Sequence, residues 1–195
     1  MNEKTNETSQ SQRILNAAFK CISSKGYANV SLRDIADEAG VVLSQLNYYY
    51  KNKEGLLIEV INMLAQQYLH EIEDTLKKGE SADEKVVQLI NFFQEMLRKK
   101  PDLLKLLFDL TSMALWSNSL QELLCNLFSD VTNLIEKYIL HSPSDKEKFE
   151  SYSSVALSRI ILGTMFGTSI QVMLARAQDQ EDMICSLTEI QGLFN

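Results

Sequence analysis

A chain of 195 residues, 45% hydrophobic and 23% charged, can build one sizeable core or a small module joined to a larger one, and its composition excludes an intrinsically disordered polymer. Only two prolines and seven glycines punctuate it, and no run of alternating Val, Ile and Thr marks a sheet, so the expected fold class is all-α. The net charge of −7 argues against a nucleic-acid partner until the chain is divided: residues 1–53 carry seven basic and five acidic groups, a balance of +2 that leaves −9 on the remainder. A mildly positive head on an acidic body suits a protein that meets phosphate with one end only.

Several function classes find no support. There is no Ser-His-Asp or Cys-His arrangement, Gly-rich phosphate loop or clustered carboxylate pair, so neither enzymatic activity nor a cofactor is expected. Cys21, Cys125 and Cys185 are odd in number and lack metal-ligand spacing to one another or to His70 and His141; no metal site is expected. Each cysteine lies in an apolar stretch and reads as core packing, with a redox-sensing thiol as the alternative. The two histidines read as solvent-facing or capping groups. The polar N-terminus, with Glu3 and Glu7, does not resemble a secretory signal, so a cytoplasmic location is expected. Within 151–175 the only charge is Arg159, yet Ser153, Ser154, Ser158, Thr164, Thr168, Ser169 and Gln171 interrupt the run. That argues against a membrane span and for a central or subunit-interface helix.

In chain order, residues 1–10 hold no apolar group after Met1 and are expected to form a disordered tail. A first helix follows over 13–25, with Ile14, Leu15, Ala18, Phe19 and Ile22 on one face and Gly26 as a left-handed cap. Ser31 opens a second helix as N-cap, helped by Asp34 three residues on; Leu32, Ile35, Ala36 and Ala39 form its inner face, and Gly40 breaks it. A short third helix spans 43–50. At 100° per residue, Leu43, Leu46, Asn47 and Tyr50 fall on one side, while Ser44, Gln45, Tyr48 and Tyr49 fall on the other. Two crossing helices of this kind form a helix-turn-helix, whose second helix lies in the major groove.

The stretch Ile14-Leu15-x-Ala17-Ala18-Phe19, Gly26-Tyr27, Ser31-Leu32-Arg33-Asp34-Ile35-Ala36-Asp37-Glu38-Ala39-Gly40-Val41 and Leu46-Asn47-Tyr48-Tyr49-Tyr50-Lys51-Asn52-Lys53-Glu54-Gly55-Leu56-Leu57 resembles the N-terminal domain of the TetR/AcrR regulators. The chain departs from that pattern at Val42, where a polar cap is usual, at Asn47, where tyrosine is frequent, and at Tyr50, which replaces Phe. The resemblance implies DNA-facing positions at Ser31, Arg33, Ser44, Gln45, Asn47, Tyr48, Tyr49, Lys51 and Lys53. Arg33 would fork onto guanine, or else rest on phosphate or in solvent. Gln45 can pair with adenine. Tyr48 and Tyr49 can reach phosphate or thymine methyls, unless one packs inward, and Lys51 and Lys53 would hold the backbone. No Lys or Arg lies between Val41 and Tyr50, so base reading would use neutral hydrogen bonds and methyl contacts. A two-fold homodimer would set two heads about 34–36 Å apart on a near-palindromic double-stranded operator.

Three segments result: a tail at 1–10, a DNA-binding domain at 11–53, and an effector-binding and dimerisation domain at 54–195. The body reads as helices broken near 78–80, 100–101, 117–119, 141–143 and 178–180. The resemblance implies a linking helix over 54–78 and a dimer interface from two long helices, 144–177 and 181–194. Gly163 and Gly167, one turn apart, would permit close helix approach, across that interface or inside one subunit. It also implies a pocket for a small apolar or amphipathic effector, with Phe92, Phe93, Met96, Phe108, Thr111, Ser112, Trp116, Phe128 and Met165 as lining candidates; simple core is the competing role for each. The leading function is an effector-released transcriptional repressor. The alternative is a ligand-independent DNA-bound protein whose body recruits a partner.

Overall fold

The computed structural model describes residues 2–140 and 153–193. The only regular secondary structure among the described residues is helical, without a strand. The helices are α1 (Asn2–Lys25), α2 (Leu32–Ala39), α3 (Leu43–Tyr49), α4 (Lys53–Leu76), α5 (Ala82–Lys99), α6 (Pro101–Ala114), α7 (Asn118–Ile135), α8 (Ser154–Leu174) and α9 (Gln180–Cys185). The chain divides into two compact units, one of Met1–Gln66 with Lys105–Leu123, the other of Gln67–Leu104 with Leu124–Asn195.

In the first unit, α1 buries Ile14, Ala18 and Ile22 against α2, which contributes Ile35, Ala36 and Ala39. Each large side chain so buried stabilises the head by about 1.5–3 kcal/mol. The start of α2 is fixed by a capping box: the Asp34 N–H donates to Ser31 Oγ at 3.2 Å, and the Asp34 carboxylate accepts the Ser31 N–H at 2.8 Å. Its end is fixed by Gly40, left-handed at φ 64° and ψ 40°, which lets the Val41 N–H reach Ala36 O at 3.0 Å. Arg13 Nη2 donates to Ala39 O at 2.7 Å and closes the same helix end. Gly26 also has positive φ (78°) but with ψ 150°, an extended mirror-image conformation rather than the left-handed helical cap expected there.

Helix α1 begins at Asn2, not near Arg13, so the backbone expected as a disordered tail over 1–10 is helical from its second residue. Glu, Lys and Gln are good helix formers, and once the buried part of α1 is fixed each added residue gains a hydrogen bond without new nucleation.

The second unit is organised by α5, whose Val86, Leu89, Ile90 and Leu97 are buried beneath the C-terminal elements. Gln94, also buried, has its amide satisfied by donating to Ile184 O at 2.9 Å. At its end α7 widens into a π turn, Glu136–Leu140, that buries Ile139 and Leu140. Along α8, Ser158, Ile161, Met165, Ser169 and Val172 are buried at helical spacing. The Ser158 and Ser169 hydroxyls are satisfied by Val155 O at 3.0 Å and Met165 O at 2.7 Å. Its other face is also apolar and lies open: Ile160 is 56% and Leu174 82% exposed, and among the described residues a Cβ built on Gly163 or Gly167 would meet nothing within 4 Å. Packing among the described residues therefore does not explain those glycines.

Further expectations are corrected. The last segment is not one long α-helix over 181–194, because α9 tightens into a 3₁₀ helix, Ser186–Leu193. The Ser186 and Thr188 hydroxyls donate to Met183 O and Cys185 O, both at 2.7 Å, competing for carbonyls that a continuing α-helix would use. Cys21 is buried as expected, but Cys125 and Cys185 are exposed. His70 faces solvent beside Asp74 at 3.3 Å. His141, the break at 141–143 and the helix start at 144 lie outside the described residues.

Candidate nucleic-acid interface

Helix α3 is seven residues long and starts just after Val42, which offers no side-chain cap. Leu46, fully buried, anchors its middle, and Tyr50, 7% exposed, anchors its end. Opposite Leu46, Ser44, Gln45 and Tyr48 face outward, with Tyr48 80% exposed. Asn47 is exposed as well, although the helical wheel put it with Leu43 and Leu46. It lies at the flank of the buried stripe, and its amide stays in water rather than lose two donors and an acceptor. Val42 adds an apolar surface at the helix start, 62% exposed. Ser31 and Arg33 are exposed at the first turn of α2, and Lys51 just beyond α3 is exposed too.

Besides Ser31, whose hydroxyl is used in the α2 capping box, two of the expected contact residues are engaged within the chain. Tyr49 is half-buried, and its hydroxyl donates to Gln10 Oε1 at 3.4 Å. Lys53 points its ammonium at Tyr27, donating to Tyr27 O and lying 4.1 Å from the ring centroid. Burial lowers the Lys53 pKa below the usual lysine value. In this conformation Lys53 braces the start of α4 and does not reach outward as the phosphate grip expected of it.

Sequence reading missed the residues that brace the head from a distance. Asp109 on α6 accepts the Tyr27 N–H at 2.9 Å. Glu54, in the first turn of α4, accepts the hydroxyls of Ser117 at 2.9 Å and Ser119 at 2.5 Å, and those hydrogen bonds, Ser119 first, hold its carboxyl below the ordinary glutamate value. On α1, Ser11 Oγ and the Tyr50 hydroxyl share a 2.9 Å hydrogen bond. The tyrosine in place of Phe was the one local hint of this last contact.

The effector candidates fall into both units. In the first, Phe108 and Thr111 are half-buried, and the Thr111 hydroxyl is used on Leu107 O at 2.7 Å. Ser112 is exposed and Trp116 is 90% exposed, so neither lines an enclosed space within that unit. Helix α6 stops at Ala114, and the turn that closes it, with the Trp116 N–H on Met113 O at 2.9 Å, carries the indole outward. In the second unit Met165 is buried, Phe128 meets Phe166 edge-on at 5.6 Å, and Phe92, Phe93 and Met96 are half-buried.

A three-helix head whose last helix shows a polar strip outward is a helix-turn-helix unit. Residues 14–60 match the model for bacterial regulatory proteins, tetR family, and the chain carries that family's N-terminal domain. The fatty acid metabolism regulator protein of Bacillus subtilis (strain 168) is 32% identical over 79 residues, 40% of this chain and only 41% of that protein. Among solved structures, a TetR transcription regulator from Haloarcula marismortui superposes with a TM-score of 0.77 at 19% identity, covering 96% of both chains. The transcriptional regulator FadR from Bacillus subtilis, in complex with stearoyl-CoA, superposes with a TM-score of 0.74 at 22% identity, covering 94% of this chain and 96% of that one. The likeness in fold thus extends over the body as well as the head.

Proposed function

We propose that this chain is a transcriptional regulator that binds a near-palindromic DNA operator as a homodimer and releases it when a small apolar or amphipathic effector occupies its helical body. The observation that carries the reading is the outward strip of Ser44, Gln45 and Tyr48 set directly behind the fully buried Leu46. A two-turn helix held by one buried leucine, with hydroxyl, amide and phenol turned to solvent, presents donors, acceptors and ring edges of the kind that read base edges in a major groove. The head comprises 11–53 and the body 54–195. The open apolar face of α8 around Ile160, Gly163 and Gly167 supplies the subunit contact, which also accounts for a helix that by length and composition alone could cross a bilayer. A cytoplasmic location goes with this role.

The effector class rests on the aromatic and methionine side chains of the body and on the stearoyl-CoA held by one relative of the same fold. Bound effector must favour the arrangement of heads that misfits the operator, since a ligand shifts an equilibrium only by its differential affinity. Enrichment of duplexes from a random library by the full chain tests the reading. The expected product is a palindrome whose affinity falls with Gln45→Ala or Tyr48→Ala and with added stearoyl-CoA. An enriched duplex whose affinity ignores both substitutions would remove the proposal; one that ignores acyl-CoA alone would leave a ligand-independent DNA-bound protein.

A further inference from the structure

The seven residues of α3 make two turns, too few to hold a helix in water unaided, and Val42 gives its start no side-chain cap. Leu46 fixes one point along the axis but not the rotation about it. That rotation is fixed at the C-terminal end. The Tyr50 phenol is buried, so its hydroxyl needs a partner, and Ser11 supplies one at 2.9 Å across 39 positions of chain. The neighbouring Tyr49 hydroxyl reaches Gln10 Oε1 at 3.4 Å. The rings then stand in series: Tyr49 lies 6.3 Å from Tyr50, and Tyr48 meets Tyr49 edge-on at 5.4 Å and 83°. The series starts on α1 and ends at the 80% exposed Tyr48.

We propose that Gln10 and Ser11 are positioning residues for DNA reading: by holding the Tyr49 and Tyr50 hydroxyls they set the orientation of Tyr48, so that part of the base-pair preference of α3 is determined from α1. This rests on α3 being the DNA-reading helix. Neither Gln10 nor Ser11 needs to touch DNA. The stretch of α1 ahead of Arg13 thereby gains a reason to be helical, since it must deliver two side chains in register to the far end of α3.

The test uses the full chain, the duplex it enriches from a random library, single-base-pair variants of that duplex, and a scrambled duplex. Ser11→Ala and Tyr50→Phe remove the same hydrogen bond from opposite ends, the second without emptying the core. Each is expected to weaken the enriched duplex about five-fold and to flatten the preference at the base pair whose preference Tyr48→Ala erases. Scrambled-duplex affinity is expected to stay at the wild-type value. In a Tyr48→Ala background, Ser11→Ala is expected to cost nothing further. Full base preference in both Ser11→Ala and Tyr50→Phe would overturn the proposal. So would losses that are equal on scrambled duplex and persist in the Tyr48→Ala background, because that pattern marks general loosening of the head. A wild-type chain that enriches no duplex would overturn both this and the reading of α3 beneath it.

Discussion

The carboxylate of Asp109 accepts the backbone N–H of Tyr27 at 2.9 Å, joining positions 82 residues apart. Gly26, at φ 78°, turns the chain so that this N–H points toward α6, and Lys53 closes on the Tyr27 carbonyl and ring from α4. One residue in the link between α1 and α2 is thus gripped from both α4 and α6. Any movement of α6 would be felt at Tyr27 directly.

Asp109→Ala should therefore leave a part-buried N–H without its partner. The expected loss is about 1 kcal/mol of stability, read as a lower urea midpoint, with Asp109→Asn losing less because its amide oxygen still accepts. An Asp109→Ala midpoint equal to wild type would show the contact to be incidental.

Glu73 on α4 supplies the clearest pH dependence. Its carboxylate accepts the Tyr138 hydroxyl at 2.6 Å and the Lys137 ammonium at 3.3 Å, and its pKa falls from the usual 4.5 to about 2, the Tyr138 hydroxyl being the larger cause. The folded state favours the charged form, so this stabilisation is fully present above about pH 4.5 and disappears as pH falls toward 2. Glu73→Gln should lower the urea midpoint near neutral pH and approach wild type only as pH falls to about 2. A deficit that stays constant across that window would assign the effect to packing instead of charge.

On α8, Gly163→Leu and Gly167→Leu meet open space among the described residues and replace a poor helix former by a good one, a gain of up to about 1 kcal/mol each. If the open face is the subunit contact, the double variant should sediment as a monomer while keeping its helical circular dichroism. A dimer of unchanged affinity would place the interface elsewhere.

The parts of the fold legible in the sequence were those set by near neighbours. Ser31 with Asp34 marked the start of α2 and Gly40 its end, because caps and positive-φ turns are written within four residues of the bond they make. The outward turn of Ser44, Gln45 and Tyr48 followed from periodicity around one buried leucine. What stayed hidden depended on distant partners. Lys53 carries the same charge whether it faces phosphate or Tyr27, and nothing local tells which. Asp109 and Glu54 look like ordinary surface acids until Tyr27, Ser117 and Ser119 are brought to them. Trp116 invited an interior assignment by its size alone, yet the turn after α6 decides where it goes.

That last residue has a practical side. Trp116 is the only tryptophan in the chain, and its indole already stands in water. An indole so exposed is expected to emit near its red limit, which leaves denaturation little room to change it and makes it a poor gauge of unfolding. Any molecule that settles over it would shield the ring and pull the colour toward the blue. The protein therefore carries a native dye, three positions before the Ser119 hydroxyl that meets Glu54 in the head's supporting helix, that answers to visitors more than to its own collapse.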